Sequence, residues 1–409
     1  MLHLAVLGEK KRVMDDKPAS QYGAKSAETL QHSRLPLVSI VIVNYNYGRY
    51  LREMFDSVAR QTYPNIECII VDNASTDESA DVLREIESHY PRTKILRRKE
   101  NGGQSLAVQE GFAASSGEFV VFADADDYLL DTFTLTHVFV HLSLRVPVGF
   151  SSSDMLQAAG PRLAVGTIAY MSDYIRSGRG KRPNLLRRID MAAPQIWTLP
   201  APGGSIETQI YLVEPGDSGN WMWAPTTGNC FRRDALQLVM DNENLASLRS
   251  CTDSYLLRAV NVVTGSIVID RPLGVYRLHG LNVFSKHPHL NGVISYDRQG
   301  PADHNQTGRK MIMDHLIKNA HSFVPKMRTP GHFIIALKAL DDSWPRLSSA
   351  VPGCRTYLAG KVVTEASELC SALGYFYFIV LLKRIRATPN VIIKAWARVW
   401  ADRKEVKRS

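Results

Sequence analysis

The sequence predicts an α/β protein built on a mostly parallel sheet flanked by helices, and three observations carry that prediction. From Pro36 onward, apolar runs of strand length alternate with segments of helical period, the pattern of βαβ units. Three of those runs end in polar clusters: Asn44-Tyr45-Asn46, Asp72-Asn73-Ala74-Ser75 and Asp124-Ala125-Asp126-Asp127. In a right-handed winding the tips of parallel strands share one edge, which is where an open α/β sheet holds its ligand crevice.

Each element follows from its residues. Leu37 to Val43 is a β-branched strand, and Leu51, Met54, Phe55 and Val58 after it mark the buried face of a helix. Ile66 to Val71 is a second strand. Ser75 with Glu78 has the spacing of a capping box, so a helix is expected to start there and run towards Ser88. Thr93 to Leu96 is a short third strand, and Asn101-Gly102-Gly103 turns the chain into a helix carrying Leu106, Val108 and Phe112. Gly117 leads into Phe119-Val120-Val121-Phe122-Ala123, a run apolar enough to be buried on both faces. Asp124 and Asp126 at its tip suit a divalent cation that also holds a diphosphate, because Mg²⁺ takes one or two carboxylates and completes its shell with phosphate oxygens and water. The same two acids would also suit a turn or a helix start. Neither Gly-x-Gly-x-x-Gly nor a Walker A loop follows a strand, so a nucleotide's phosphates would be held by metal and not by a glycine cradle.

Composition narrows the function classes. The 409 residues carry a formal net charge of +9, which allows nucleic acid, an anionic membrane or a phosphorylated substrate as partner. No Cys/His finger, basic heptad helix or RNP aromatic signature is present, which excludes the common nucleic-acid modules. The five cysteines never form a Cys-x-x-Cys pair and read as reduced thiols in a cytoplasmic protein. Lys10, Lys11 and Arg12 follow a short apolar start, the reverse of a signal peptide. No run reaches the roughly 18 to 20 apolar residues of a membrane-spanning helix.

The order of motifs from Pro36 to Leu130 resembles the nucleotide-sugar-binding half of family 2 inverting glycosyltransferases, which have the GT-A fold. The resemblance rests on Val38 to Asn46, on Val71-Asp72-Asn73-Ala74-Ser75-Thr76-Asp77, on Asn101-Gly102-Gly103 and on Phe122 to Asp127. It implies that Val43, Asn44, Tyr45, Asn46, Asp72, Asn73, Ser75, Gly102, Gly103, Asp124 and Ala125 bind the nucleotide sugar. It also implies that Asp126, with Asp124, holds Mn²⁺ or Mg²⁺. The family's commonest pattern has an acid where this chain has Asn73, which leaves the base open; UDP- and dTDP-sugars are favoured. Cys251-Thr252-Asp253-Ser254 resembles the family's Glu-Asp motif, with Thr252 in place of the Glu and Asp253 as general base. Thr252 reads as the helix cap, and the helix dipole is expected to keep Asp253 ionised. Tyr276-Arg277-Leu278-His279 resembles the Tyr-Arg-x-His segment, whose His completes the metal shell or contacts the diphosphate; a nitrogen ligand favours Mn²⁺.

Between these motifs, Val146 to Ala224 loses periodicity and reads as a variable insertion shaping an acceptor pocket. Its basic residues Arg176, Arg179, Lys181, Arg182, Arg187 and Arg188 read as a solvated face or a phosphate contact. Trp221, Trp223, Thr227, Gly228, Asn229 and Arg232 are the candidate acceptor contacts, with a core role open for one tryptophan. The expected organisation is a poorly ordered tail (1–35), a nucleotide-sugar half (36–147), an acceptor and base half (148–300) and a C-terminal helical region (301–409). The stretch 369–386 is apolar and ends in Lys383, Arg384 and Arg386; it is too short to span a bilayer and suits a buried helix or a peripheral anchor at the inner face of the plasma membrane. The expected activity is metal-dependent, inverting transfer of one sugar to a saccharide or lipid-linked hydroxyl acceptor in surface-polysaccharide or glycolipid assembly. A degenerate transferase that binds nucleotide sugar as a scaffold is the alternative.

Overall fold

We describe a computed structural model of the chain over residues 35–160, 162–167, 186–189, 191–192, 197–215, 221–280, 282, 302–342 and 346–406. The tail expected at 1–35 and the basic residues Arg176 to Arg182 lie outside the described residues, except that Leu35 is already part of the core.

The first half is wound as the sequence predicts. Strand β1 (Val38–Asn44), helix α1 (Gly48–Ala59), β2 (Ile66–Asp72), α2 (Ser79–His89), β3 (Lys94–Arg97), α3 (Gln104–Ala114) and β4 (Phe119–Asp124) alternate in order. β3, β2, β1 and β4 are neighbours in a parallel array. Side chains alternate across it: Val38, Ile40 and Ile42 pack with α1 and α2, while Val41 and Val43 pack with α3 on the other face. Helix α3 lies so close to β1 that a Cβ on Gly111 would sit 2.2 Å from Val41 Cγ1.

Chain order then departs from sheet order. After β5 (Tyr128–Leu129) and α4 (Phe133–Ser143) come β6 (Phe150–Ala159), β7 (Arg162–Thr167), β8 (Leu186–Arg188), β9 (Ile210–Val213) and β10 (Asn229–Arg232). Helices α5 (Arg233–Met240) and α6 (Thr252–Thr264) and the long strand β11 (Ser266–Leu278) follow. The sheet runs β3-β2-β1-β4-β10-β6-β11-β9-β8, continuous across residue 147. Part of the supposed insertion is therefore a central strand: β6 pairs with β10 and, in parallel, with β11. Its polar sequence concealed it. Ser151, Ser152, Ser153 and Asp154 are buried because each hydroxyl or carboxylate has a partner, such as Ser151 Oγ with His137 Nδ1 at 2.7 Å and Ala224 N–H donating to Ser152 Oγ at 2.9 Å.

The C-terminal region is helical as expected: α7 (Ala302–Lys318), α8 (Ala320–Phe323), α9 (Pro330–Asp342), α10 (Tyr357–Thr364), α11 (Ala366–Arg384) and α12 (Pro389–Val406). Phe333, Leu337, Leu369 and Phe378 belong to the same core as Tyr255 and Leu256 of α6, so these helices complete the packing beneath the second half of the sheet. At 19 residues with mean hydropathy 1.3, α11 is long and apolar enough to cross a membrane by length and composition, which corrects the expectation that it is too short. It is nevertheless interrupted at Gly374 (φ 74°), and one face, including Leu369, Leu373, Phe378 and Leu381, is buried in the bundle.

Candidate active site at the strand tips

Register brings the polar tips together. Asn44 lies opposite Asp72, and Val43 opposite Asp124, so Asp72 and Asp124 flank the tip of β1 about 10 Å apart, two strand spacings. Asn44 Nδ2 donates to Asp72 Oδ1 (2.8 Å), Ser75 Oγ (3.1 Å) and Ser79 Oγ (2.9 Å), tying the first two tips into one network. Ser75 does not form a capping box; the helix starts at Ser79, and Ser75 Oγ accepts from the Asn46 N–H at 2.9 Å. Asp77 takes the capping role, accepting from Ser79 N–H (3.0 Å) and from Gly48 N–H (2.9 Å) at the start of α1. Asn46, Ala74 and Cys251 adopt positive φ near 60°, and among the described residues only Arg386 joins them outside glycine. Such conformations are costly for residues with a Cβ and cluster at functional sites. Tyr45 is exposed beside this tip.

Asn73, expected among the nucleotide-sugar contacts, has its amide engaged within the protein as a latch. It is buried, its Nδ2 donates to Asn101 Oδ1 (3.0 Å) and Gly103 O (3.2 Å), and its Oδ1 accepts from Gly102 N–H (3.1 Å). Gly103, at φ 86°, makes the turn into α3. The next residue, Gln104, had no signal in the sequence beyond following the two glycines. Its Nε2 donates to Asp124 Oδ1 (3.1 Å) and its Oε1 accepts from Thr252 N–H (3.2 Å), joining the β4 tip to the start of α6. Thr252 is not the cap; that position is Cys251, and the Thr252 hydroxyl hydrogen-bonds Ser105 Oγ at 2.7 Å.

Asp124 and Asp253 are near enough for their charges to interact. Burial, with the charges of Asp126 and Asp253, pushes Asp124 up to about 7. Asp253 is also raised above the usual carboxylate range by burial, against the lowering effect of the Ser254 N–H that donates to its Oδ1 (2.7 Å) and of the Arg258 charge. Burial thus shifts Asp253 in the direction opposite to that expected from the helix dipole.

On the other side of β4, Asp126 Oδ2 and His279 Nε2 share a hydrogen bond of 2.9 Å, with both side chains largely enclosed. Tyr47 and Tyr50 hold the imidazole, with ring centroids 5.3 and 5.1 Å away. Arg277 organises the turn: its N–H donates to Asp127 Oδ1 (3.2 Å), Nε to Asp126 O (2.9 Å) and Nη1 to Glu53 Oε2 (2.8 Å). Its Nη2 is buried without a hydrogen-bond partner. Among the described residues no three His, Cys, Asp or Glu side chains converge as a ready-made metal cluster. Asp126 with His279 supplies two ligand groups, and Asp124 is engaged by Gln104.

Most proposed acceptor contacts prove structural. Trp223 is fully buried, its Nε1 donating to Ser266 Oγ at 3.0 Å and its ring packed on Phe150, so it belongs to the core. Thr227 Oγ1 donates to Asp127 Oδ2 (2.6 Å) and accepts from Asp124 N–H (3.1 Å), supporting the carboxylates from behind. Gly228 is packed against Ala224, and the Asn229 amide caps the Ala224 to Thr226 carbonyls. Arg232 pairs with Asp234 and lies opposite Phe119, at the far end of β4 from the crevice. Trp221 is partly exposed and stacks under the Arg258 guanidinium at 5.0 Å, on the helix that carries Asp253.

The parallel half-sheet, its carboxylate-bearing tips and the facing second half define an α/β protein of the GT-A type. Residues 39–141 match the family described as glycosyl transferase family 2. That region is a family 2 glycosyltransferase segment. An uncharacterized glycosyltransferase of Nostoc sp. is 30% identical over 245 residues, 60% of this chain and 66% of that one. Glycosyltransferase GlyG of Streptococcus pneumoniae is 36% identical over 91 residues, 22% of this chain and 30% of its own length. TuaG of Bacillus subtilis, named provisionally for teichuronic acid biosynthesis, is 27% identical over 177 residues, 38% of this chain and 70% of its own. The chain thus spans just under two thirds of the Nostoc relative. The solved structure of S. aureus TarS 1-349 in complex with UDP aligns over 90% of this chain and 92% of that one, at 16% identity and a TM-score of 0.44, a likeness that carries no argument about ligand.

Proposed function

We propose that the protein is an inverting, divalent-metal-dependent glycosyltransferase that moves one sugar from a nucleoside-diphosphate sugar, UDP- or dTDP-linked, to a hydroxyl acceptor. The observation that carries this reading is the Gln104 bridge: it ties Asp124, on the donor side, to the helix bearing Asp253, on the acceptor side. The residues present fit a metal. Asp126 and His279 offer one carboxylate and one imidazole, a mixed set that suits Mn²⁺ better than Mg²⁺, and Arg277 Nη2 is an unsatisfied donor beside them. When bound, the ion would neutralise charge on the departing diphosphate.

The chain's own residues do the rest. Asp72 and the Asn44 to Asn46 tip form the wall for base and ribose, and Asp124 contacts the ribose or the ion. Arg277 Nη2 donates to a phosphate oxygen. Asp253 Oδ2, the oxygen not held by Ser254, takes the acceptor hydroxyl proton as the new bond forms, and its raised pKa makes it a stronger base than an exposed carboxylate. Attack from that side opposite the diphosphate gives inversion. The name of TuaG supports a place in polysaccharide assembly. The test is release of nucleoside diphosphate from a panel of UDP-, dTDP- and GDP-sugars with Mn²⁺ and with EDTA. Metal-dependent release is expected for at least one donor; binding of a donor with no release from any of them would overturn the proposal and leave the scaffold reading.

A further inference from the structure

We infer that the hairpin of α11 and α12 docks on an anionic lipid leaflet, an interaction independent of the donor chemistry above. While one face of α11 is buried in the bundle, the other leaves Phe376 71% and Ile379 54% exposed, and α12 leaves Ile393 64% and Trp400 60% exposed. The two sets join into one strip. Tyr375 stacks on Trp396 with ring centroids 5.9 Å apart, and Trp396 shares a helix face with Ile393 and Trp400 by its spacing of three and four residues. A contiguous aromatic and aliphatic strip of this kind is unusual on a protein surface in water and marks an interaction site.

Charge identifies the occupant. From Ser371 to Trp400 the chain has no Asp or Glu and five cations, Lys383, Arg384, Arg386, Lys394 and Arg398, of which Arg398 pairs with Asp402 at 3.7 Å. Lys383, Arg384 and Arg386 are exposed at the hairpin bend, beside the strip. A second copy of the same surface would set these cations against one another, whereas an anionic leaflet offers headgroup charge to the bend and an apolar boundary to the strip. Tyr, Trp and Phe are also the side chains that favour that boundary. The break at Gly374 redirects α11, and residues on both sides of it, Leu369 and Leu373 before and Phe378 and Leu381 after, anchor the helix in the core. Because that core is shared with α6, docking would hold the Asp253 helix at a set attitude to the membrane, which suits an acceptor carried on a lipid.

The test is co-sedimentation of the full-length protein with phosphatidylcholine vesicles, with and without phosphatidylglycerol. Binding is expected to be far stronger with the anionic lipid, and high salt should weaken it to the level seen with phosphatidylcholine alone without abolishing it, since salt screens the cations and leaves the apolar contact. Replacing Lys383, Arg384 and Arg386 by Gln should weaken binding about 100-fold, at roughly fivefold per cation. Phe376→Ser with Ile379→Ser should remove the salt-resistant part, with circular dichroism confirming the fold and a vesicle-induced blue shift of tryptophan fluorescence in the unmutated protein as a second readout. No sedimentation with either vesicle, equal binding by the variants, or a stable dimer in lipid-free buffer that the Phe376 and Ile379 substitutions dissolve would overturn the inference.

Discussion

Replacing Asn73 by Asp, the acid of the family pattern that this segment resembles, should destabilise this protein. A substitution towards the common residue usually stabilises. Here the amide donates twice, to Asn101 Oδ1 and Gly103 O, and accepts once, from Gly102 N–H. A carboxylate keeps only the acceptor role, so two hydrogen bonds worth about 1 kcal/mol each are lost. It also sets a buried charge against two oxygens, though each keeps another donor: Gly103 N–H on Asn101 Oδ1 at 2.8 Å and Ala107 N–H on Gly103 O at 3.4 Å. The expected loss is therefore about 2 to 4 kcal/mol, the two bonds plus part of the cost of an unpaired buried charge. Urea unfolding followed by circular dichroism measures it, with Asn73→Ala as the control that removes the bonds without adding charge. If Asn73→Asp were as stable as the parent, the latch assignment would be wrong.

Asp126→Ala should abolish turnover and nearly all Mn²⁺-dependent nucleotide affinity in isothermal titration; affinity unchanged in both Mn²⁺ and EDTA would remove Asp126 from the metal site. Asp253→Asn should leave donor affinity within a few-fold while lowering kcat by roughly 10² or more, the usual scale of a lost general base; a parallel collapse of donor binding would make Asp253 structural. Burial raises Asp124 to about 7 and raises Asp127 as well, so the folded protein holds more protons than the unfolded chain between the ordinary carboxylate range and about pH 7. That contribution is complete below the unfolded pKa and is lost as pH rises through the folded one. In EDTA the unfolding midpoint of the parent relative to Asp124→Asn should accordingly be higher at pH 5 than at pH 8, a comparison in which the opposite contribution of His137 and His141, whose pKa values burial lowers, cancels; Mn²⁺ should flatten the difference by favouring charged carboxylates, and a relative midpoint that climbs from pH 5 to pH 8 in EDTA would contradict the burial of Asp124.

The sequence by itself determined the strands and helices of the first half and the carboxylate tips. Its apolar runs are continuous and its tips abruptly polar, and both signals are local. The pairing of Asp126 with His279 was legible only in part, through the Tyr-Arg-x-His resemblance, because 153 positions separate the two residues. Tertiary structure alone decided the rest. Ser151 to Asp154 sit in a central strand because hydroxyl partners from α4 and the 224–228 loop satisfy them, and polarity along the chain carries no record of such partners. Trp221 and Trp223 are two positions apart, yet one is partly exposed beneath Arg258 and the other is core. Asn73 and Gln104 acquire their roles from a loop and a helix that come near them only when the sheet is wound. The direction in which an acid there is shifted likewise depends on the water excluded by neighbours remote in sequence, which is why the dipole at the start of α6 does not predict the upward shift of Asp253.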